Sequence, residues 1–127
     1  MGALILDASV LIGLLDAADA HHRDAVEDVD AAEQDGRPLL TPASAYSEAL
    51  VAFARAGRID DARTAIAAMG ITVTPLDDAI AERAAGLRAE SSRLRLPDAI
   101  VLATADEAGG ELLTYDHRLG RARGGSP

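Results

Sequence analysis

Four short apolar runs, separated by stretches with helical spacing, restrict the possible folds of this chain more than anything else in it. The runs are Ala3-Leu4-Ile5-Leu6, Pro38-Leu39-Leu40-Thr41, Ile71-Thr72-Val73-Thr74 and Glu111-Leu112-Leu113-Thr114-Tyr115. Ala3 to Leu6 is apolar on both alternations, the pattern of a strand covered by helices on both faces. Periodicity predicts helices at about Val10–Asp16, Ala20–Asp35, Ala43–Ala56, Asp60–Met69, Asp77–Arg93 and Asp98–Ala108. Gly36, Gly57, Gly70 and the Gly109-Gly110 pair follow helical stretches as stops. Thr41-Pro42 suits an N-cap followed by proline in the first turn. Strands alternating with helices imply right-handed βαβ units, and so a three-layer α/β fold with a central parallel sheet. At 127 residues the length fits one domain, taken as 1–120, and the Gly- and Arg-rich segment 121–127 is expected to fray.

Composition narrows the class. Only Tyr46, Phe53 and Tyr115 are aromatic, so the core must be Leu, Ile, Val and Ala, which favours closely packed helices. Cysteine is absent, which excludes disulfides and thiolate metal sites and makes a reducing compartment sufficient. Asp7 and Asp16 interrupt the apolar opening and no basic region precedes it, so neither a signal peptide nor a membrane span is expected. Met1-Gly2 is no myristoylation signal, because Leu6 stands where Ser or Thr is needed. A cytoplasmic location is expected. The net charge of −9 opposes nucleic-acid binding at first sight. Acids gathered at a metal site would, however, be offset by bound cations. Every basic side chain is Arg, the better bidentate phosphate partner, although a GC-rich coding bias gives the same composition.

Chemistry concentrates in four acids. Asp7 ends the first apolar run and Asp116 the last, Asp98 opens the apolar segment Asp98–Ala103, and Glu48 edges a helical stripe of Ala45, Ala49, Ala52, Phe53 and Ala56. In open α/β sheets ligands bind beyond the carboxyl ends of strands, where strand order reverses. Carboxylates gathered there repel unless a hard cation neutralises them, and Mg²⁺ or Mn²⁺ prefers such oxygen ligands. Each acid also has a plain structural reading. Asp7 suits a turn or cap shared with Ser9, Asp98 a first-turn acid favoured by the helix dipole, Asp116 a turn, and Glu48 a partner for Arg55. Asp106 lies two turns beyond Asp98, about 12 Å along the axis, too far to share an ion. Asp77-Asp78 suits an N-cap pair, and His21, His22 and His117 suit surface or cap roles.

Four stretches together resemble the PIN-domain family, especially the VapC-type toxins of bacterial toxin–antitoxin pairs. They are Met1–Ile12, Thr41–Leu50, Leu96–Ala105 and Leu112–Asp116, and their order and spacing cover essentially the whole chain. The resemblance implies a parallel sheet flanked by helices and a site of Asp7, Glu48, Asp98 and Asp116, with Ser9 and Thr114 in support. It implies a Mg²⁺- or Mn²⁺-dependent endoribonuclease that cuts tRNA, rRNA or mRNA, is blocked by an antitoxin's C-terminal segment, and forms homodimers. Two departures stand out. Arg118 occupies the place of a further acid, which puts a second metal position in doubt. Gly120–Pro127 lacks the apolar run of a final edge strand, so the sheet has four strands or gains at most a short irregular fifth.

The expected chemistry is phosphodiester hydrolysis leaving a 5′-phosphate and a 3′-hydroxyl. Asp7, Asp98 and Asp116 would hold one ion and Glu48 complete its shell, while Arg93, Arg95 and Arg118 would contact the RNA backbone. Receivers and haloacid-dehalogenase-type phosphatases also place acids after strands, but both normally require a Lys, which this chain lacks. The phosphatase pattern further wants an acid where Ser9 stands. A PIN-like module that binds RNA or protein without cutting is the remaining alternative.

Overall fold

The structure is a computed structural model that describes residues 2–124, with side chains as far as Gly120. Its strands are β1 (Leu4–Leu6), β2 (Leu39–Pro42), β3 (Ile71–Thr74) and β4 (Glu111–Leu113). Its helices are α1 (Ala8–Leu15), α2 (His22–Gln34), α3 (Ala43–Arg55), α4 (Ile59–Ala68), α5 (Asp78–Glu90), α6 (Leu96–Ala108) and α7 (His117–Gly124). The strands form one parallel sheet in the order β3-β2-β1-β4. Leu4 is in register with both Leu39 and Glu111, and Leu6 with Leu113. The chain therefore lays three strands in one direction and returns to place the fourth on the far side of β1.

Helices cover both faces, as the doubly apolar β1 requires. On one face Leu4, Leu6, Leu39 and Ile71 pack against Leu11, Val29 and Ile66 of α1, α2 and α4. On the other, Leu112 packs against a cluster that includes Ala84 of α5, Leu102 of α6 and Leu119 of α7. Ile5 and Leu6 are wholly buried; a fully buried aliphatic side chain contributes about 1.5–3 kcal/mol. The alanine-rich composition serves close approach here: Ala45 and Ala49 of α3, and Ala99, Ala103 and Ala105 of α6, all lie in the core.

Several boundaries differ from the sequence expectation for identifiable reasons. Helix α1 begins at Ala8 rather than Val10 because Asp7 caps it directly, accepting from the Val10 amide at 3.2 Å. Asp77 caps α5 as read, accepting from Ile80 at 2.9 Å. Thr41 does not cap α3: its hydroxyl donates to the Leu6 carbonyl across the sheet, and Pro42 holds the cap position with no side-chain bond. At the end of α6, Gly109 adopts the left-handed conformation (φ 61°). At Gly110 an added Cβ would lie 2.6 Å from the Ala3 carbonyl oxygen and clash with the Ile5 side chain. Helix α7 runs into the segment expected to fray, whose residues 125–127 lie outside those described. Among the described residues no helix is long and apolar enough to cross a membrane.

Candidate functional site

Strand order reverses between β1 and β4, so the crevice beyond their carboxyl ends is the place for a ligand. Asp7 emerges there from β1 and is only 4 % exposed. Its Oδ1 accepts from Ser9 Oγ at 2.6 Å and from the Val10 amide, and its Oδ2 accepts from Thr114 Oγ1. Each hydroxyl has a second task. Ser9 Oγ accepts from the Tyr115 amide and Thr114 Oγ1 from the Asp116 amide, both at 3.0 Å. Two hydroxyls thus tie the ends of β1 and β4 together and fix the orientation of one carboxylate. Burial pushes the Asp7 carboxyl above its ordinary range, against the opposing pull of these hydrogen bonds.

The other acids reach the same crevice from different elements. Asp7, Glu48, Asp98 and Asp116 all line one cleft of about 220 Å³, together with Ser9, Ser44 and Arg95. Asp98 stands in the first turn of α6, behind Pro97, with Arg95 Nε 3.6 Å from its Oδ2. Asp116 accepts from the Arg118 amide at 2.9 Å, and Arg118 Nη2 lies 3.6 Å from its other oxygen. Glu48 projects from α3 as an exposed residue, and no ion pair with Arg55 forms. Its bland explanation therefore falls away. Asp106 pairs instead with Arg83 of α5, consistent with its distance from the cleft.

The arginines divide between two hollows. Arg95 lines the acid cleft, whereas Arg93 and Arg118 line an adjoining groove of about 1080 Å³. Asp98, Asp116 and Leu119 border both, so the two are neighbours. The groove contains a pair that the sequence reading missed: His21 stacks on Tyr115 with ring centroids 4.8 Å apart and planes 18° from parallel. Only the sequence position of Tyr115, between Thr114 and Asp116, hinted at it. His22 serves the fold, its Nδ1 lying 2.7 Å from the Gly13 carbonyl of α1. His117 is exposed at the groove.

With this geometry in hand, comparison with known proteins is informative. A family model of the PIN domain matches residues 4–125. The chain belongs to the PIN-domain family. Among solved structures, this PIN domain is similar to a protein of a toxin–antitoxin complex from Klebsiella pneumoniae, at 28% identity and TM-score 0.72. That match covers 90% of this chain and 87% of the other. It is similar also to Mycobacterium tuberculosis VapC20, a sarcin-ricin loop cleaving toxin, at 18% identity and TM-score 0.72. Coverage there is 94% and 95%, and the likeness shows the shared fold. A search of curated proteins by sequence returns no match.

The residues of this PIN domain suit a hard divalent cation by their chemistry. The donors are all oxygen, as Mg²⁺ and Mn²⁺ prefer. Ser44 lines the cleft, and its Oγ is buried with no hydrogen-bond partner among the described residues, an orphaned oxygen beside the acids. As placed, no three acidic or histidine side chains among the described residues stand close enough to hold an ion. Arg95 and Arg118 stand beside Asp98 and Asp116, in contacts at 3.6 Å that are too long for hydrogen bonds and weak enough to exchange.

Proposed function

We propose that this PIN domain is a Mg²⁺- or Mn²⁺-dependent endoribonuclease acting as the toxin of a toxin–antitoxin pair. One observation carries the reading: four carboxylates from β1, α3, α6 and the end of β4, scattered over 110 positions of sequence, line a single cleft at the switch point of the sheet. Its likeness to a protein of a toxin–antitoxin complex, and to a toxin named for cleaving the sarcin-ricin loop, supports an RNA substrate and an antitoxin partner. A homodimer is part of the proposal.

Asp7, Asp98 and Asp116 would hold the ion, with Glu48 acting on its water. A divalent ion bound there supplies charge neutralisation at the phosphate and a water of lowered pKa. The chain's own contribution is order. Ser9 and Thr114 present Asp7 in one orientation, which costs nothing further when substrate arrives. Arg95 and Arg118, released from Asp98 and Asp116, become available to phosphate oxygens as bidentate donors. Attack by water with departure of the 3′-oxygen leaves a 5′-phosphate and a 3′-hydroxyl, and the 2′-oxygen takes no part.

The decisive experiment is cleavage of total RNA by the purified protein with Mn²⁺, with EDTA, and with Asp98→Asn. Cutting that needs both the ion and Asp98 is expected, and cutting by Asp98→Asn at the parental rate would refute the assignment. The separation of the carboxylates favours one competing reading, a module that binds RNA without cutting it. Single-turnover assays that show binding but no cleavage in Mn²⁺ would establish that reading instead.

A further inference from the structure

The groove beside the acid cleft differs from it in character. It is about fivefold larger, about 1080 Å³ against 220 Å³, and its walls include a stacked ring pair as well as arginines and acids. Tyr115 is pinned at both ends. Its hydroxyl donates to Asp28 Oδ2 at 2.6 Å and its amide donates to Ser9 Oγ. His21 is held through its backbone, its amide donating to Asp19 Oδ2 at 3.0 Å and its carbonyl accepting from Ala25. Both residues are only partly covered. Rings fixed in advance and open to solvent lose little freedom when another ring lies against them.

We propose that this groove receives an unpaired nucleotide of an RNA substrate, adjoining the phosphate held in the acid cleft, with its base stacked on the His21–Tyr115 pair. The proposal rests on the nuclease reading of that cleft. Adjacency argues for it, because Asp98 and Asp116 border both hollows, so a strand leaving the cleft is already at the edge of the groove. Charge sets the direction. Asp24 shares the groove with the rings and repels phosphate, while Arg93 and Arg118 attract it. The base is thereby directed to the rings and the backbone to the arginines. Paired bases of an A-form helix are stacked within the duplex and cannot reach such a platform, so the occupant is single-stranded.

The test uses the full chain carrying Asp7→Asn, a position outside the groove, to prevent cutting. A fluorescein-labelled single-stranded RNA 12-mer and its duplex are titrated with this protein and with versions that add His21→Ala or His21→Phe. Removing one stacking face is expected to weaken single-strand binding roughly five- to hundredfold. His21→Phe should restore that binding, and the weaker duplex binding should not change with either substitution. His21→Ala leaves the backbone bonds of residue 21 in place, so its melting temperature should fall by no more than the few degrees that the lost ring pair is worth. Unchanged single-strand affinity in His21→Ala overturns the proposal and leaves the groove to a protein segment; the nuclease reading survives if the native chain still cuts RNA in Mn²⁺. A loss of affinity that Phe does not rescue, with a lowered melting temperature, also overturns it, in favour of a structural role. If the native chain neither binds nor cuts RNA, the nuclease reading fails and takes this proposal with it.

Discussion

Asp7→Asn separates a site carboxylate from a structural one by the sign of its effect on stability. The folded-state pKa of Asp7 lies above the 3.8 of the unfolded chain, because burial outweighs its hydrogen bonds. Between 3.8 and that elevated value the native chain retains a proton the unfolded chain has lost, so stability falls as pH rises through this window. Above it the whole deficit is present. Asparagine removes the charge and keeps the shape. Its Oδ1 can keep the bonds from Ser9 Oγ and the Val10 amide as neutral ones, while its Nδ2 cannot accept and must instead donate to Thr114 Oγ1. These changes cost about 1 kcal/mol each at most, whereas burying a carboxylate costs several kcal/mol. The net expectation is a gain of about 1 kcal/mol at neutral pH, or roughly 4 °C in Tm at this chain length. Thermal melts in EDTA across a pH series should show the variant's advantage growing from acid to neutral pH. Mn²⁺ at a hundredfold excess over its Kd adds about 2.7 kcal/mol to the parent, so the order should reverse on adding metal. An asparagine variant that melts below the parent in EDTA at neutral pH, or a gap indifferent to pH, would refute this reasoning.

Thr114→Val should cost about 1–3 kcal/mol in urea unfolding, since it strips a donor from Asp7 and an acceptor from the Asp116 amide, while Thr114→Ser should retain most of both. Arg37 caps the opposite end of the sheet, donating to the Gly2 carbonyl at 2.9 Å, the Ala3 carbonyl at 3.3 Å and Glu111 at 2.9 Å. Arg37→Ala should therefore lose about 2 kcal/mol with cleavage intact, and Arg37→Lys should recover less than half, lacking the planar fork. Gly110→Ala should destabilise by about 1–3 kcal/mol on calorimetry, because its methyl meets the Ala3 carbonyl and the Ile5 side chain. RNA fragments should carry 3′-hydroxyls, detectable by direct extension with poly(A) polymerase; 2′,3′-cyclic ends would exclude water as the nucleophile.

What could be read in advance follows the range of the forces involved. Strands β1 and β3 were legible because burial imposes an apolar pattern on neighbouring residues, and the parallel sheet followed from helices lying between strands. Asp7 and Asp116 were conspicuous because strand ends are punctuated by polar residues, and the sheet order then brought them to one crevice. Long-range pairings were not legible. Thr41 follows the grammar of a cap, yet its hydroxyl is used by a carbonyl 35 positions away. The stack of His21 on Tyr115 depends on where the turn after β4 comes to rest, which no local pattern encodes. Helix α7 was missed because, of its described side chains, Leu119 alone enters the core. Glu48 was legible at the edge of an apolar stripe, but it is exposed and forms no ion pair with the arginine invoked to explain it.

The two hydroxyl bridges onto Asp7 join residues 106 and 107 positions apart. During synthesis Asp7 is made well before Thr114 and Tyr115, whose bonds complete its surroundings. A nascent chain short of residue 114 thus carries an unfinished centre, whatever else has folded. Completion of β4 and the turn after it acts as a timer, setting the earliest moment at which the chain can acquire its full set of site contacts.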